Sequence, residues 1–231
     1  MRPTVLLFDI DGTLISTGGA GRRAIERALQ VHGAADSARF SFAGMTDGAI
    51  VRRALSLAGR STAPARMAAV LGSYVEFLAD EVARASDAEY RLCDGVLLAL
   101  DAAARTPDCA VGLGTGNVER GAQIKLARVG IAERFGFGGF GSDAEDRAEV
   151  LRIGAGRGAA AFGRAPADCR VVVIGDTPMD VAAARAIGAD CIAVATGPVP
   201  RSELALHAPR WLYPSLLTPG AIDALLHGAE R

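Results

Sequence analysis

Apolar residues along the chain fall into short continuous runs ended by Asp, Thr or Gly, and longer stretches with apolar positions three or four apart. Val5 to Ile10 is continuous apart from Asp9, and is bounded by Pro3 and Asp11-Gly12. Cys109 to Leu113 is a second run, closed by Gly114-Thr115-Gly116-Asn117. Arg170 to Ile174 is the strongest, closed by Gly175-Asp176-Thr177-Pro178, and Cys191 to Ala195 is closed by Thr196-Gly197-Pro198. Each reads as a buried strand. Phe135 to Phe140, interleaved with glycines, is a weaker candidate. Helical periodicity covers about 95–105, 118–129, 145–162 and 178–187. Continuous apolar strands alternating with helices imply a parallel sheet covered on both faces, the doubly wound α/β class. Such folds place ligands beyond the carboxyl ends of the strands, and three of the four strong strand ends carry polar residues suited to chemistry.

Residues 17–90 break the alternation. After Gly18-Gly19-Ala20-Gly21 comes a helical pattern (Ala24, Ile25, Ala28, Leu29), then a loop through Phe40-Ser41-Phe42-Ala43-Gly44 and two helices over about 47–58 and 64–84. The expected organisation is an α/β core of residues 1–16 and 91–231 with an all-helical insert, 17–90. Its hinges are expected at Gly18, Gly19 and Gly21 and near Glu89–Cys93.

Composition narrows the function. The 231 residues are half hydrophobic and carry 25 basic against 26 acidic groups. This is enough for a real core, without the basic excess of a nucleic-acid or anionic-membrane binder. Cys93, Cys109, Cys169 and Cys191 are widely spaced, with no C-x-x-C pair, and read as reduced thiols. No apolar run approaches a membrane span, and Met-Arg-Pro-Thr does not open a signal peptide, so a soluble cytoplasmic protein, monomer or homodimer, is expected. The basic residues are 24 Arg and one Lys, Lys125.

Three strand ends carry the candidate chemistry. In Phe8-Asp9-Ile10-Asp11-Gly12-Thr13-Leu14, two carboxylates two residues apart project into one small space. That is unfavourable unless a cation sits there or one keeps a proton. Asp176 ends another strand and Asp180 lies one turn into the helix that Pro178 begins. Four carboxylates at adjacent strand ends make an all-oxygen cluster suited to Mg²⁺. At the third end, the Thr115 hydroxyl with the Gly116 and Asn117 backbone can cradle phosphoryl oxygens.

Asp9-Ile10-Asp11-Gly12-Thr13, Thr115 and Gly175-Asp176-x-x-x-Asp180, in that order, resemble the haloacid dehalogenase-like hydrolase superfamily, whose α/β core spans about two-thirds of the chain. The helical insert, the opening Phe-Asp-Ile-Asp-Gly-Thr-Leu and the Phe-Ala-Gly-Met-Thr-Asp loop at 42–47 are similar to its phosphoglycolate phosphatase-like branch. The resemblance implies a Rossmann-like core with a cap, and a phosphatase of small phosphorylated metabolites. Asp9 would be the nucleophile forming an aspartyl-phosphate, and Asp11 the general acid and base. Mg²⁺ would be held by the Asp9 carboxylate, the Asp11 carbonyl and Asp176, with Asp180 ordering its water shell. Thr115 would bond the phosphoryl group, and Thr46 and Asp47 would belong to a specificity loop.

The family also expects a basic residue, usually Lys, at the nucleophile. Lys125 lies ten residues past Thr115, roughly 12 Å up the helix, and its plain reading is a solvated face. Arg147, in Ser142-Asp143-Ala144-Glu145-Asp146-Arg147, begins the next helix and is preferred here, the alternative being a surface pair with Asp143 or Glu149. The insert's Arg22, Arg23, Arg52 and Arg53 are candidates for an anionic substrate group or, more plainly, solvated faces. No Lys occurs in 17–90, against Schiff-base chemistry, and His32 lies on the insert's surface, against a mutase; a binding module on the same fold is the other alternative.

Overall fold

The computed structural model describes Arg2–Gly228. In chain order its elements are β1 (Thr4–Phe8), β2 (Ile15–Thr17), α1 (Ala20–Val31), α2 (Asp47–Leu57), α3 (Pro64–Arg84), β3 (Tyr90–Leu92), α4 (Val96–Arg105), β4 (Cys109–Gly114) and α5 (Glu119–Arg128). There follow β5 (Gly138–Gly139), α6 (Arg147–Ala160), β6 (Arg170–Gly175), α7 (Pro178–Ala186), β7 (Asp190–Val194), α8 (Arg201–Leu206), β8 (Trp211–Tyr213) and α9 (Ala221–His227).

Six strands form one sheet in the order β5-β4-β1-β6-β7-β8, every neighbouring pair parallel. The fold is the doubly wound, Rossmann-like one. Successive residues of β1 point to opposite faces, so Leu6 and Phe8 join one apolar core and Val5 and Leu7 the other. The second core is closed by Leu151, Ala155 and Ala159 of α6 and Val181 and Ala184 of α7. The first continues without a break into the insert, where Ala24, Ile25 and Leu29 of α1 and Val70, Tyr74 and Leu78 of α3 are buried in it. Two covered faces explain why the strands read as apolar runs and not as alternation.

The chain leaves β1 for β4 on one side of the sheet and returns through β6 on the other. The crevice at this reversal, beyond β4, β1 and β6, collects the ends carrying Thr115, Asp9 and Asp176.

The structure corrects several expectations. Of the expected hinges, Gly18 and Gly19 form a turn and Gly21 lies in α1, while the segment near Glu89–Cys93 contains β3, which pairs antiparallel with β2 just before the glycines, Ile15 opposite Leu92 and Thr17 opposite Tyr90. Three residues each are too few for a period to show. β1 ends at Phe8, so Asp9 and Ile10 lie beyond it, and the glycine-rich run contributes only Gly138–Gly139. The sheet edge β8 and the helices α8 and α9 have no clear pattern in the sequence. None of the described helices is long and apolar enough to cross a membrane.

Candidate active site

Beyond β1 the chain turns tightly: the amides of Thr13, Leu14 and Ile15 all donate to the Ile10 carbonyl. Gly12 has φ 82°, and a Cβ there would lie 2.4 Å from Asp176 Oδ2. Backbone conformation and space therefore both require glycine beside the acids. At the end of β6, Thr177 caps α7 by accepting from the Asp180 amide, while Asp180 Oδ2 accepts from the Thr177 amide and hydroxyl. This reciprocal cap holds Asp180 under the strand ends.

Carboxylate oxygens of Asp9, Asp176 and Asp180 lie within 4.8 Å of one another, all three residues buried. Burial, together with the neighbouring carboxylates, raises the Asp9 carboxyl above its ordinary range, although Arg147 pulls it down. Asp176 is raised well above that range, by burial and then by the charges of Asp180 and Asp9. Asp176 Oδ1 accepts from the Thr13 hydroxyl, but the buried Oδ2 has no hydrogen-bond partner among the described residues. A buried, unpaired carboxylate oxygen facing two further acids fits a hard divalent cation. This acidic cluster can bind a metal.

Two cations divide the acids between them. Arg147, the first residue of α6, is capped in place by Asp146 and buried. Its Nη2 lies 2.9 Å from Asp9 Oδ1 and 2.6 Å from Asp180 Oδ1. Desolvation acts against its charge, but the two carboxylates outweigh it and raise its pKa. The alternative surface pairs are taken elsewhere, since Asp143 bonds Arg157 and Glu149 bonds Arg152.

Lys125 is not on a solvated face. It is 3 % exposed, with Nζ 2.7 and 2.9 Å from the Asp11 carboxylate oxygens and 2.6 Å from Asn117 Oδ1. The Lys125 ammonium meets Asp11 across the site, so distance along α5 from Thr115 does not measure distance to that carboxylate. Burial pushes Asp11 up, yet the Lys125 ammonium and the hydrogen bonds from Lys125, Asn117 and Thr17 outweigh it, and the carboxyl titrates below its ordinary value.

Asn117 Nδ2 donates to Asp11 Oδ2 and to the Thr115 hydroxyl, both at 2.9 Å. Gly116 lies directly under the insert: a Cβ there would sit 2.3 Å from the Met45 carbonyl. Thr46 does not line the cavity. Its hydroxyl caps α2 and donates to the Glu145 carbonyl. The neighbouring Asp47 does line it, with its amide donating to the Gly116 carbonyl and its carboxylate accepting from the Val118 amide at 2.8 Å. Of the arginines, Arg52 pairs with Glu145 across the two parts of the chain, Arg23 with Glu81, and Arg53 lies over Phe40. Arg22 alone of these four lines the cavity, which has a volume of about 690 Å³.

Burial raises the Asp47 carboxyl from 3.8 to about 6, against the pull of Lys125 and the Val118 amide. The folded state thus holds this proton more tightly than the unfolded chain. Its stabilising contribution is complete below about pH 4 and is lost as pH rises through about 6, an effect of up to about 3 kcal/mol. Urea unfolding at pH 4 and pH 7.5 should show Asp47→Asn losing less stability across that interval than the unchanged protein. A difference between the two proteins that is the same at both pH values would refute this.

A model of the haloacid dehalogenase-like hydrolase family matches residues 6–185. The chain belongs to that family. A second model, HAD-hydrolase-like, matches residues 156–218 of this hydrolase, and no curated protein matches it. Among solved structures it is similar to a predicted phosphoglycolate phosphatase from Haemophilus somnus 129PT, at 18 % identity and TM-score 0.64 over 92 % of this chain and 94 % of that one. CbbY from Rhodobacter sphaeroides in complex with phosphate is 17 % identical, TM-score 0.71, over 96 % and 100 % of the two chains. A variant of CbbY in complex with xylulose-(1,5)bisphosphate gives 18 % and 0.72 over 97 % and 99 %. At these identities the likeness is one of fold.

Proposed function

We propose that this hydrolase is a Mg²⁺-dependent phosphatase of small phosphorylated metabolites that works through an aspartyl-phosphate on Asp9. The observation that carries the reading is the division of the acids: Asp9 faces Arg147 and the acidic trio, while Asp11 is held apart by Lys125 and Asn117.

Asp9 and Asp176 would hold the metal, with the Asp11 carbonyl that the family resemblance adds. Asp180, whose oxygens are engaged by Arg147 and Thr177, keeps the trio in place. The bound cation would offset the repulsion between an anionic nucleophile and an anionic phosphate. Arg147 orients the Asp9 carboxylate and presents its remaining donors to phosphoryl oxygens. Asp9 attacks phosphorus, the ester oxygen leaves with a proton from Asp11, and Asp11 then takes a proton from the water that releases phosphate. Lys125 favours the ionised Asp11 that the second step needs. In the first step the phosphate dianion beside it favours the protonated form. Asn117 and the Gly116 backbone border the phosphate, and the buried Thr115, absent from the cavity lining, positions Asn117 by accepting from its amide and Nδ2.

Residues 17–90 act as the cap, excluding water from the crevice, and 1–16 with 91–231 form the core. Four free cysteines accord with a cytoplasmic setting, and the working unit is a monomer or homodimer. A mutase is less favoured, because His32 is engaged with Ser73 and is absent from the cavity lining, so no insert histidine stands at the acids.

The test is turnover of p-nitrophenyl phosphate. It should require Mg²⁺, fall to background with EDTA and return on adding the metal. Turnover indifferent to EDTA would overturn the metal-dependent reading.

A further inference from the structure

The chemistry of the cavity beyond the phosphate position bears on the rest of the substrate. Among the described residues three basic side chains line the cavity, and each already has partners. Arg147 serves Asp9 and Asp180, and Lys125 serves Asp11 and Asn117. Arg22 donates to the carbonyls of Ala38 and Phe40 and to Glu26, and its guanidinium lies 3.8 Å over the Phe42 ring. Against these stand four lining carboxylates: Asp9, Asp11, Asp47 and Asp176. A divalent cation and a phosphate dianion cancel one another, so the lining stays net negative, with Arg22, stacked on Phe42 and paired with Glu26, its one cation without a buried carboxylate partner.

Part of the cavity lining contributed by the insert is apolar. Ile25, Phe42, Met45 and Ile50 make up this part, while the buried Tyr74 hydroxyl lies beside the Asp47 and Asp11 carboxylates. A cavity of about 690 Å³ is also far larger than a phosphorylated two-carbon acid. It lies in the range of sites for ligands of drug-like size, roughly 300–1,000 Å³. Burying apolar substrate surface on this part of the lining is favourable in proportion to the area removed from water. Burying a carboxylate there leaves a desolvated charge without a partner.

Resting on the phosphatase reading, we propose that the substrate is a phosphate monoester whose organic group is uncharged and partly apolar, with neither a carboxylate nor a second phosphate. Such a group packs against Phe42, Met45 and Ile50 while its phosphate sits at Asp9. Phosphoglycolate, to which the resemblance points, is on these grounds a poor substrate.

Benzyl phosphate and phosphoglycolate are both esters of primary alcohols, so their comparison isolates the organic group. With Mg²⁺, kcat/KM for benzyl phosphate should exceed that for phosphoglycolate by at least about tenfold, about 1.4 kcal/mol. Benzylphosphonate should correspondingly inhibit p-nitrophenyl phosphate turnover at lower concentration than phosphonoacetate, a readout that needs no hydrolysis of the probe. Met45→Lys, which places a cation on the half-buried loop wall, should narrow the benzyl-to-glycolate ratio. Turnover of p-nitrophenyl phosphate with phosphoglycolate equal to or better than benzyl phosphate overturns the substrate class and leaves the phosphatase reading standing. No turnover of any of these esters overturns both.

Discussion

Asp9→Asn should lower turnover of p-nitrophenyl phosphate by about a thousandfold or more, the scale expected when a covalent nucleophile is removed. The amide keeps the shape of the carboxylate and a carbonyl oxygen for Arg147, but it cannot attack phosphorus to form an acyl phosphate. Folding should survive. Asp9 is buried beside Asp11 and Asp180, whose charges work against its ionisation, and Arg147 retains Asp180 as its partner. The unfolding temperature of the variant should therefore equal or exceed that of the unchanged protein. Full activity in Asp9→Asn would remove the aspartyl-phosphate mechanism. Lost activity with a lower unfolding temperature would point to a structural role for Asp9.

The second large effect belongs to Arg147. Arg147→Ala leaves Asp9 without its guanidinium, and it leaves the fully buried Asp180 with only its Thr177 hydrogen bonds. Breaking a buried pair from one side costs about 3–5 kcal/mol, because the orphaned charge stays desolvated. Activity should fall by about a hundredfold or more, since the nucleophile loses its orientation and the phosphate a forked donor. Lys125→Ala should cost less in both respects, because the Asp11 side chain is 40 % exposed and can be rehydrated when the ammonium is gone. Arg147→Lys should recover only part of the loss, since one ammonium does not reproduce the fork that spans Asp9 and Asp180. Measured kcat and unfolding free energies for the three variants decide the matter. A larger loss of activity in Lys125→Ala than in Arg147→Ala would transfer the principal cationic role to Lys125.

Much of the core was legible before the structure. Val5–Phe8, Cys109–Leu113, Arg170–Ile174 and Cys191–Val194 are strands because a sheet covered on both faces tolerates only apolar runs, and such runs are visible one residue at a time. The acids were legible for the same local reason. Asp9 and Asp11 are two residues apart, and Asp176 and Asp180 are four apart across a helix start that Thr177 and Pro178 announce. The β2–β3 ribbon was not legible, since its three-residue strands gain their meaning only from each other across more than seventy intervening positions.

Lys125 marks the boundary between the two kinds of knowledge. Its place as the one lysine was plain, and the sequence alone left it on a solvated helix face with Arg147 as its competitor. The tertiary structure gives each cation its own carboxylate: Arg147 to Asp9, Lys125 to Asp11. Asp47, Tyr74 and Arg22 reach the same cavity from three different elements of the insert; Asp47 and Arg22 were among the candidates read from the sequence, while nothing in the neighbourhood of Tyr74 signals it. The sequence by itself determined the α/β class, the strand ends that carry acids and the presence of a helical insert, because these follow from short-range periodicity and spacing. Which charge meets which, and which side chains line the cavity, was decided by tertiary packing alone. Ion pairs and cavity walls depend on distances between segments remote in the chain, and no local pattern encodes those distances.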